Sequence, residues 1–72
     1  MNVGNNIKQL RRQKKLTQVQ VAEELGVSYQ AVSKWENDIS APDIALLPAI
    51  AELFGVSIDA LFSVNVMHRA DH

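Results

Sequence analysis

Apolar residues recur along the chain at helical spacing. Ile7 and Leu10, then Val21, Ala22 and Leu25, then Val32 and Trp35, then Ile50, Ala51 and Phe54 repeat at intervals of three or four. That interval puts side chains on one face of an α-helix. No stretch alternates apolar and polar in the manner of a half-buried strand. The few glycines and prolines, at 4, 26, 55, 42 and 48, fall near the ends of these segments, where chain breaks belong. The pattern therefore predicts an all-α domain of four helices with a fifth, weaker helical segment.

Local chemistry sharpens the boundaries. Asn2 is a suitable N-cap for a first helix running to about Lys14, with lysines in the last turn where the helix dipole favours cations. Thr17-Gln18-Val19-Gln20 reads as a capping box that starts a second helix, and Gly26 suits the left-handed residue that ends it. Ser28 caps a third helix with Val32 and Trp35 inward and Tyr29, Gln30, Ser33, Lys34 and Asn37 on the other face. The spacing makes Trp35 a core residue and not an exposed stacking platform. Asp38 to Asp43 is a polar loop, and Asp43 to Leu46 is a short turn, because Pro48 would break a helix spanning it. Pro48 fits N1 of a fourth helix ending at Phe54, and Ser57 caps one or two turns from Ile58 to Phe62. Residues 1–62 form the domain, and a flexible tail is expected over 63–72.

Composition narrows the function. Seventy-two residues leave no room for a second domain, and the absence of cysteine removes disulfides and thiolate metal sites. With neither a signal-peptide pattern nor an apolar run near the roughly 18 residues of a membrane span, a cytoplasmic protein is expected. No glycine-rich phosphate loop, nucleophile elbow or cysteine nucleophile is present, so neither an enzyme nor a cofactor is expected. His68 and His72 are four apart, but without a helix signal they read as solvated tail and not as metal ligands. So small a fold is also expected to leave no ligand pocket of some hundreds of cubic ångströms. The net charge of −1 conceals an asymmetry: residues 1–37 carry six basic residues against three acidic, and residues 38–72 carry one against five. The basic half contains the third helix, so near-neutrality does not exclude a polyanionic partner.

The second and third helices are separated by only a few residues. Crossing through so tight a turn needs a small residue where the backbones approach, Ala22, and one tolerant of positive φ, Gly26, with Val21, Leu25, Val27, Val32 and Trp35 filling the wedge. This specifies a helix-turn-helix. Leu16-Thr17-Gln18, Val21 to Ser28, Val32 to Asn37 and Pro42-Asp43-Ile44 resemble the phage-repressor, or xenobiotic-response-element, family. The resemblance implies a compact five-helix lambda-repressor-like DNA-binding domain, acting as a homodimeric repressor on a near-palindromic double-stranded operator and held at the nucleoid through DNA. It implies base contacts from Tyr29, Gln30, Ser33 and Lys34, and phosphate contacts from Gln18, Ser28, Asn37 and Ser40. It also implies a structural ion pair between Arg11 and Glu36. Leu53, Ile58 and Phe62 exceed what the C-terminal segment can bury alone and are dimerisation candidates.

Three positions depart from the family pattern. Asp38 and Lys15 stand where glycine is frequent, the former placing a negative charge near the expected DNA backbone, and Val19 is an apolar residue at an exposed position. Two alternatives stand beside the repressor: an antitoxin that binds its operator and a small protein partner, and a helix-turn-helix module used only for protein contacts.

Overall fold

The structure, a computed structural model, describes residues 3–63. Asn2 and residues 64–72, with both histidines, lie outside the described residues. Four α-helices follow one another: α1 Val3–Gln13, α2 Gln18–Leu25, α3 Tyr29–Glu36 and α4 Leu47–Phe54. A 3₁₀ turn, Ile44–Leu46, leads into α4, and a second, Asp59–Phe62, follows it. There is no strand among the described residues.

The fifth segment, expected as one or two turns from Ile58 to Phe62, is a 3₁₀ turn over Asp59–Phe62, with the Ser57 hydroxyl accepting from the Ala60 N–H at 3.2 Å. The structure differs from the sequence expectation at the start of α4. The 3₁₀ turn after Asp43 runs without a break into α4, so Leu47 takes the first helical position and Pro48 the second. The Leu47 N–H bonds the Ile44 carbonyl of the 3₁₀ turn, and the second helical position needs no N–H for the α-helical ladder, so the proline remains harmless.

One set of side chains explains why such short segments hold. Helices of eight residues are unstable alone in water and draw their stability from tertiary packing. Ile7 of α1, Val21 of α2, Val32 of α3, Ile50 of α4 and Leu61 of the last turn are each fully inaccessible to solvent. Every element thus contributes one side chain to a common centre, around which Leu10, Trp35 and Phe54 close. The 3₁₀ turn belongs to the core through Leu61. It is latched to α1 by Asn6, a buried side chain whose Nδ2 donates to the carbonyls of Leu61, at 2.8 Å, and Ser63.

All four helices end in the same way. The residue after each last turn lies in the left-handed region, at Lys15 (φ 59°), Gly26 (72°), Asp38 (60°) and Gly55 (69°). In each case the next residue's N–H reaches back to a carbonyl of the preceding turn: Leu16 to Arg11, Val27 to Ala22, Ile39 to Lys34 and Val56 to Ala51. These are Schellman closures. Two use glycine, which meets no steric penalty there, and two use charged residues, which do.

The packing of α1 against α3 is close. A Cβ added at Gly4 would lie 1.9 Å from the carbonyl oxygen of Trp35, so the two backbones touch at this point. The Asp38 carboxylate sits against the same glycine, its Oδ1 3.1 Å from that Cβ position. Its charge therefore faces the first turn of α1, whose partial positive pole favours it.

At the other end of the crossing, Glu36 ties three elements together. Its carboxylate accepts from Arg11 Nε at 2.7 Å and Nη2 at 3.0 Å, a bidentate pair from α1, and from Gln18 Nε2 of α2 at 3.0 Å. Arg11 Nη1 also donates to the Leu16 carbonyl, holding the α1–α2 turn. The side chains are 14% and 2% exposed for Arg11 and Glu36, so neither charge has water as an adequate substitute. Two stability predictions follow. Glu36→Gln lowers stability by about 3 kcal/mol because it leaves a largely buried guanidinium without its counter-charge, a loss of more than about 10 °C in Tm; an unchanged thermal melt contradicts it. Gly4→Ala lowers stability by about 2 kcal/mol through overpacking at the α1–α3 crossing, measured by urea unfolding.

Candidate nucleic-acid interface

Helix α3 divides its residues sharply. Val32, Trp35 and Glu36 face inward and are buried. Tyr29, Gln30 and Lys34 are exposed, with Ser33 half-buried at the edge. Gln30 and Lys34 are one helical turn apart and lie side by side on the outer face. Neither side chain forms a hydrogen bond or ion pair among the described residues, so that face has no structural duty. Eight residues make α3 about 12 Å long, and a helix of this girth fits the major groove of B-DNA, which is about 12 Å wide.

The expected phosphate-contacting residues sit around the rim of that face, and most also hold the fold. Ser28 caps α3, its Oγ accepting from the Ala31 N–H at 3.2 Å, which leaves the hydroxyl hydrogen available. Asn37 follows the last helical residue and donates from Nδ2 to the Ser33 carbonyl at 2.8 Å. Gln18 is half-buried with one amide hydrogen on Glu36, and its second hydrogen remains. Ser40 is exposed in the loop after α3, with its N–H directed at the Lys34 carbonyl. The capping box at α2 is complete: Thr17 Oγ1 accepts from the Gln20 N–H and Gln20 Oε1 accepts from the Thr17 N–H.

Sequence reasoning missed the Gln18–Glu36 bond. Nothing in the local sequence signals it, because the partners are 18 residues apart and meet only when α2 crosses α3. Asp38 is exposed, with its Oδ1 3.1 Å from a Cβ position built on Gly4 of α1. Val19, expected as an exposed apolar spot, is 49% exposed.

Of the three dimerisation candidates, Ile58 is exposed and Leu53 and Phe62 are half-buried against the core. Among the described residues, the most exposed large apolar side chains are two others, Ile39 and Ile44, on either side of the loop before α4. Two hollows correct the expectation that so small a domain has none of this size. One, of about 330 Å³, is an apolar groove lined by Val3, Ala41, Pro42, Ile44, Leu47 and Phe62. The other, of about 500 Å³, is open and lies beside Gly55 to Ser57 and the last turn. Both lie between the ends of elements, because the core is filled and the surface between short helices is not smooth.

Comparison with known proteins agrees with this geometry. The helix-turn-helix family profile matches residues 7–61. The chain is 44% identical over 63 residues to the HTH-type transcriptional activator BcrR of Enterococcus faecalis, covering 88% of this chain and 31% of that protein. It is 38% identical over 71 residues to the immunity repressor protein of Bacillus phage phi105, covering 99% of this chain and 49% of that protein. The chain thus spans between a third and a half of the length of these curated relatives. The fold superposes on the P22 c2 repressor, solved in complex with a synthetic operator, with a TM-score of 0.78 and 30% identity over 82% of this chain and 89% of that one. With α2 and α3 crossing through a tight turn and α3 turning a polar face outward, the chain belongs to the helix-turn-helix family of DNA-binding transcriptional regulators, in the xenobiotic-response-element group that includes phage repressors.

Proposed function

We propose that this chain is a sequence-specific repressor that sets α3 into the major groove of double-stranded DNA and acts as a homodimer on a near-palindromic operator. The observation that carries the reading is the outer face of α3. Its inner residues fill the core, whereas Tyr29, Gln30 and Lys34 are exposed and make no contact that the fold needs. Gln30 can present its amide to an adenine edge, accepting from N6 and donating to N7, and Lys34 can donate to guanine O6 or N7. Tyr29 and Ser33 flank them. Gln18, Ser28, Asn37 and Ser40 supply donors at the rim, where phosphate contacts set orientation without reading sequence.

Dimerisation rests on the exposed Ile58 with its half-buried neighbours Leu53 and Phe62. Two copies related by a two-fold axis would place their α3 helices about 34 Å apart, one turn of B-DNA.

Selection of binding sites from random DNA tests the reading directly and is expected to return a two-fold symmetric sequence. Lys34→Ala and Gln30→Ala each relax base preference at one position per half-site, by about 1 to 3 kcal/mol, while the thermal melt is retained. Gln18→Ala instead weakens selected and unrelated sequences alike. A Lys34→Ala variant with unaltered preference would overturn the assignment of α3. Sedimentation at tens of micromolar, with and without DNA, is expected to show a dimer in at least the DNA-bound state. Duplex binding together with capture of one small partner protein is the result that the antitoxin reading predicts instead, and failure to bind any duplex is the result that the protein-contact reading predicts.

A further inference from the structure

We infer that the turn between α1 and α2, with Lys15 at its apex and Lys14 beside it, is a second anchoring site for the DNA backbone, separate from the phosphate contacts around α3. The inference rests on the DNA-binding reading above and extends the surface that carries it. The starting point is a contrast among the four helix ends. Each closes through a residue in the left-handed region, and glycine fills that position at Gly26 and Gly55. Asp38 fills it after α3, and its carboxylate has a structural position against Gly4 in the first turn of α1. Lys15 fills it after α1 with φ at 59°, is exposed, and has no hydrogen bond or ion pair from its side chain among the described residues. A lysine in this region is less favourable than glycine. The strained backbone therefore supports a cation that does nothing for the fold.

The turn is also held in the right place. Leu16, next to Lys15, has its carbonyl bound by Arg11 Nη1 at 2.9 Å, and the same guanidinium binds Glu36 in the last turn of α3. Gln18 binds Glu36 from the other side of the turn. Two residues lie between Lys15 and Gln18, so their Cα atoms are at most about 11 Å apart. A short tether thus joins Lys15 to Gln18, whose amide reaches Glu36 at the end of α3, and brings the long lysine side chains within reach of a duplex held there. Arg11 adds no free charge, because Glu36 neutralises it. Lys14 by itself has a sufficient explanation in the dipole of α1, but Lys15 adds a further cation at a position where glycine would close the helix more easily. The ligand chemistry is a row of phosphodiesters, read by charge and without regard to sequence.

The test uses substitutions whose effects on folding and on binding run in opposite directions. Lys15→Gly, Lys15→Arg, Lys14→Gln with Lys15→Gly, and Lys8→Gln as a charge control on α1, are titrated by fluorescence anisotropy. The probes are a selected-site duplex and a scrambled duplex of the same length, over a range of salt. Lys15→Gly is expected to melt no lower than the parent, yet to weaken both duplexes by the same factor, about 5- to 10-fold per bound protomer near 0.1 M salt, and to reduce the slope of log K against log salt by about one per bound protomer. The double variant reduces it by about two per bound protomer, Lys15→Arg keeps the parent slope, and Lys8→Gln changes it by less than half as much as Lys15→Gly. An unchanged slope in the double variant, or an equal loss from Lys8→Gln, overturns the inference while the parent still binds DNA. Absence of any duplex binding by the parent overturns the DNA-binding reading itself.

Discussion

Burial of the Glu36 carboxylate imposes a condition that one end of the α1–α3 crossing is built to meet. A carboxylate 2% exposed needs its charge compensated and its lone pairs occupied. Arg11 brings the charge from α1 and Gln18 a further donor from α2, while Glu36 itself closes α3. Those three bonds therefore place three helices relative to one another at one end of the fold. Arg11 extends the constraint to the α1–α2 turn through Leu16. A purely apolar contact would tolerate sliding, whereas a bidentate guanidinium–carboxylate pair fixes direction as well as distance. The same network delivers the start of α2 and the end of α3 to one surface, where a phosphate backbone would meet both.

The opposite end of the α1–α3 crossing works by shape and not by charge. Gly4 lets the α1 backbone meet the Trp35 carbonyl, and Asp38 folds over the same spot. Asn6, two residues further on, carries the grip to the last 3₁₀ turn. Between these ends the core consists of one inaccessible side chain from each helix and one from that turn. Helices this short are stabilised by one another, and four left-handed residues end them. The outer face of α3 is free because the inner face completes the packing.

The elements legible from sequence were those decided within one or two helical turns. The Thr17–Gln20 box, the Ser28 cap and the left-handed closure at Gly26 depend on residues three to five apart, and the structure contains each of them. The inward position of Val32 and Trp35 follows from helical period alone. Boundaries were less legible where two elements compete for the same residues, as where the 3₁₀ turn merges into α4 and moves Pro48 to its second position. The hollows near Phe62 and Gly55 were not legible at all, since they lie between segments that are distant in sequence.

By itself, then, the sequence determined the helices, their caps and which face of α3 would be polar, because periodicity and capping are local properties of the backbone. The roles of Gly4, Asn6 and Gln18 were decided only by the tertiary structure. Their partners lie 31, 55 and 18 residues away, and a residue type does not reveal which distant carbonyl or carboxylate it will meet. The Asp38 carboxylate shows the same limit: its approach to Gly4 in the first turn of α1 depended on how closely α1 could pack against the end of α3.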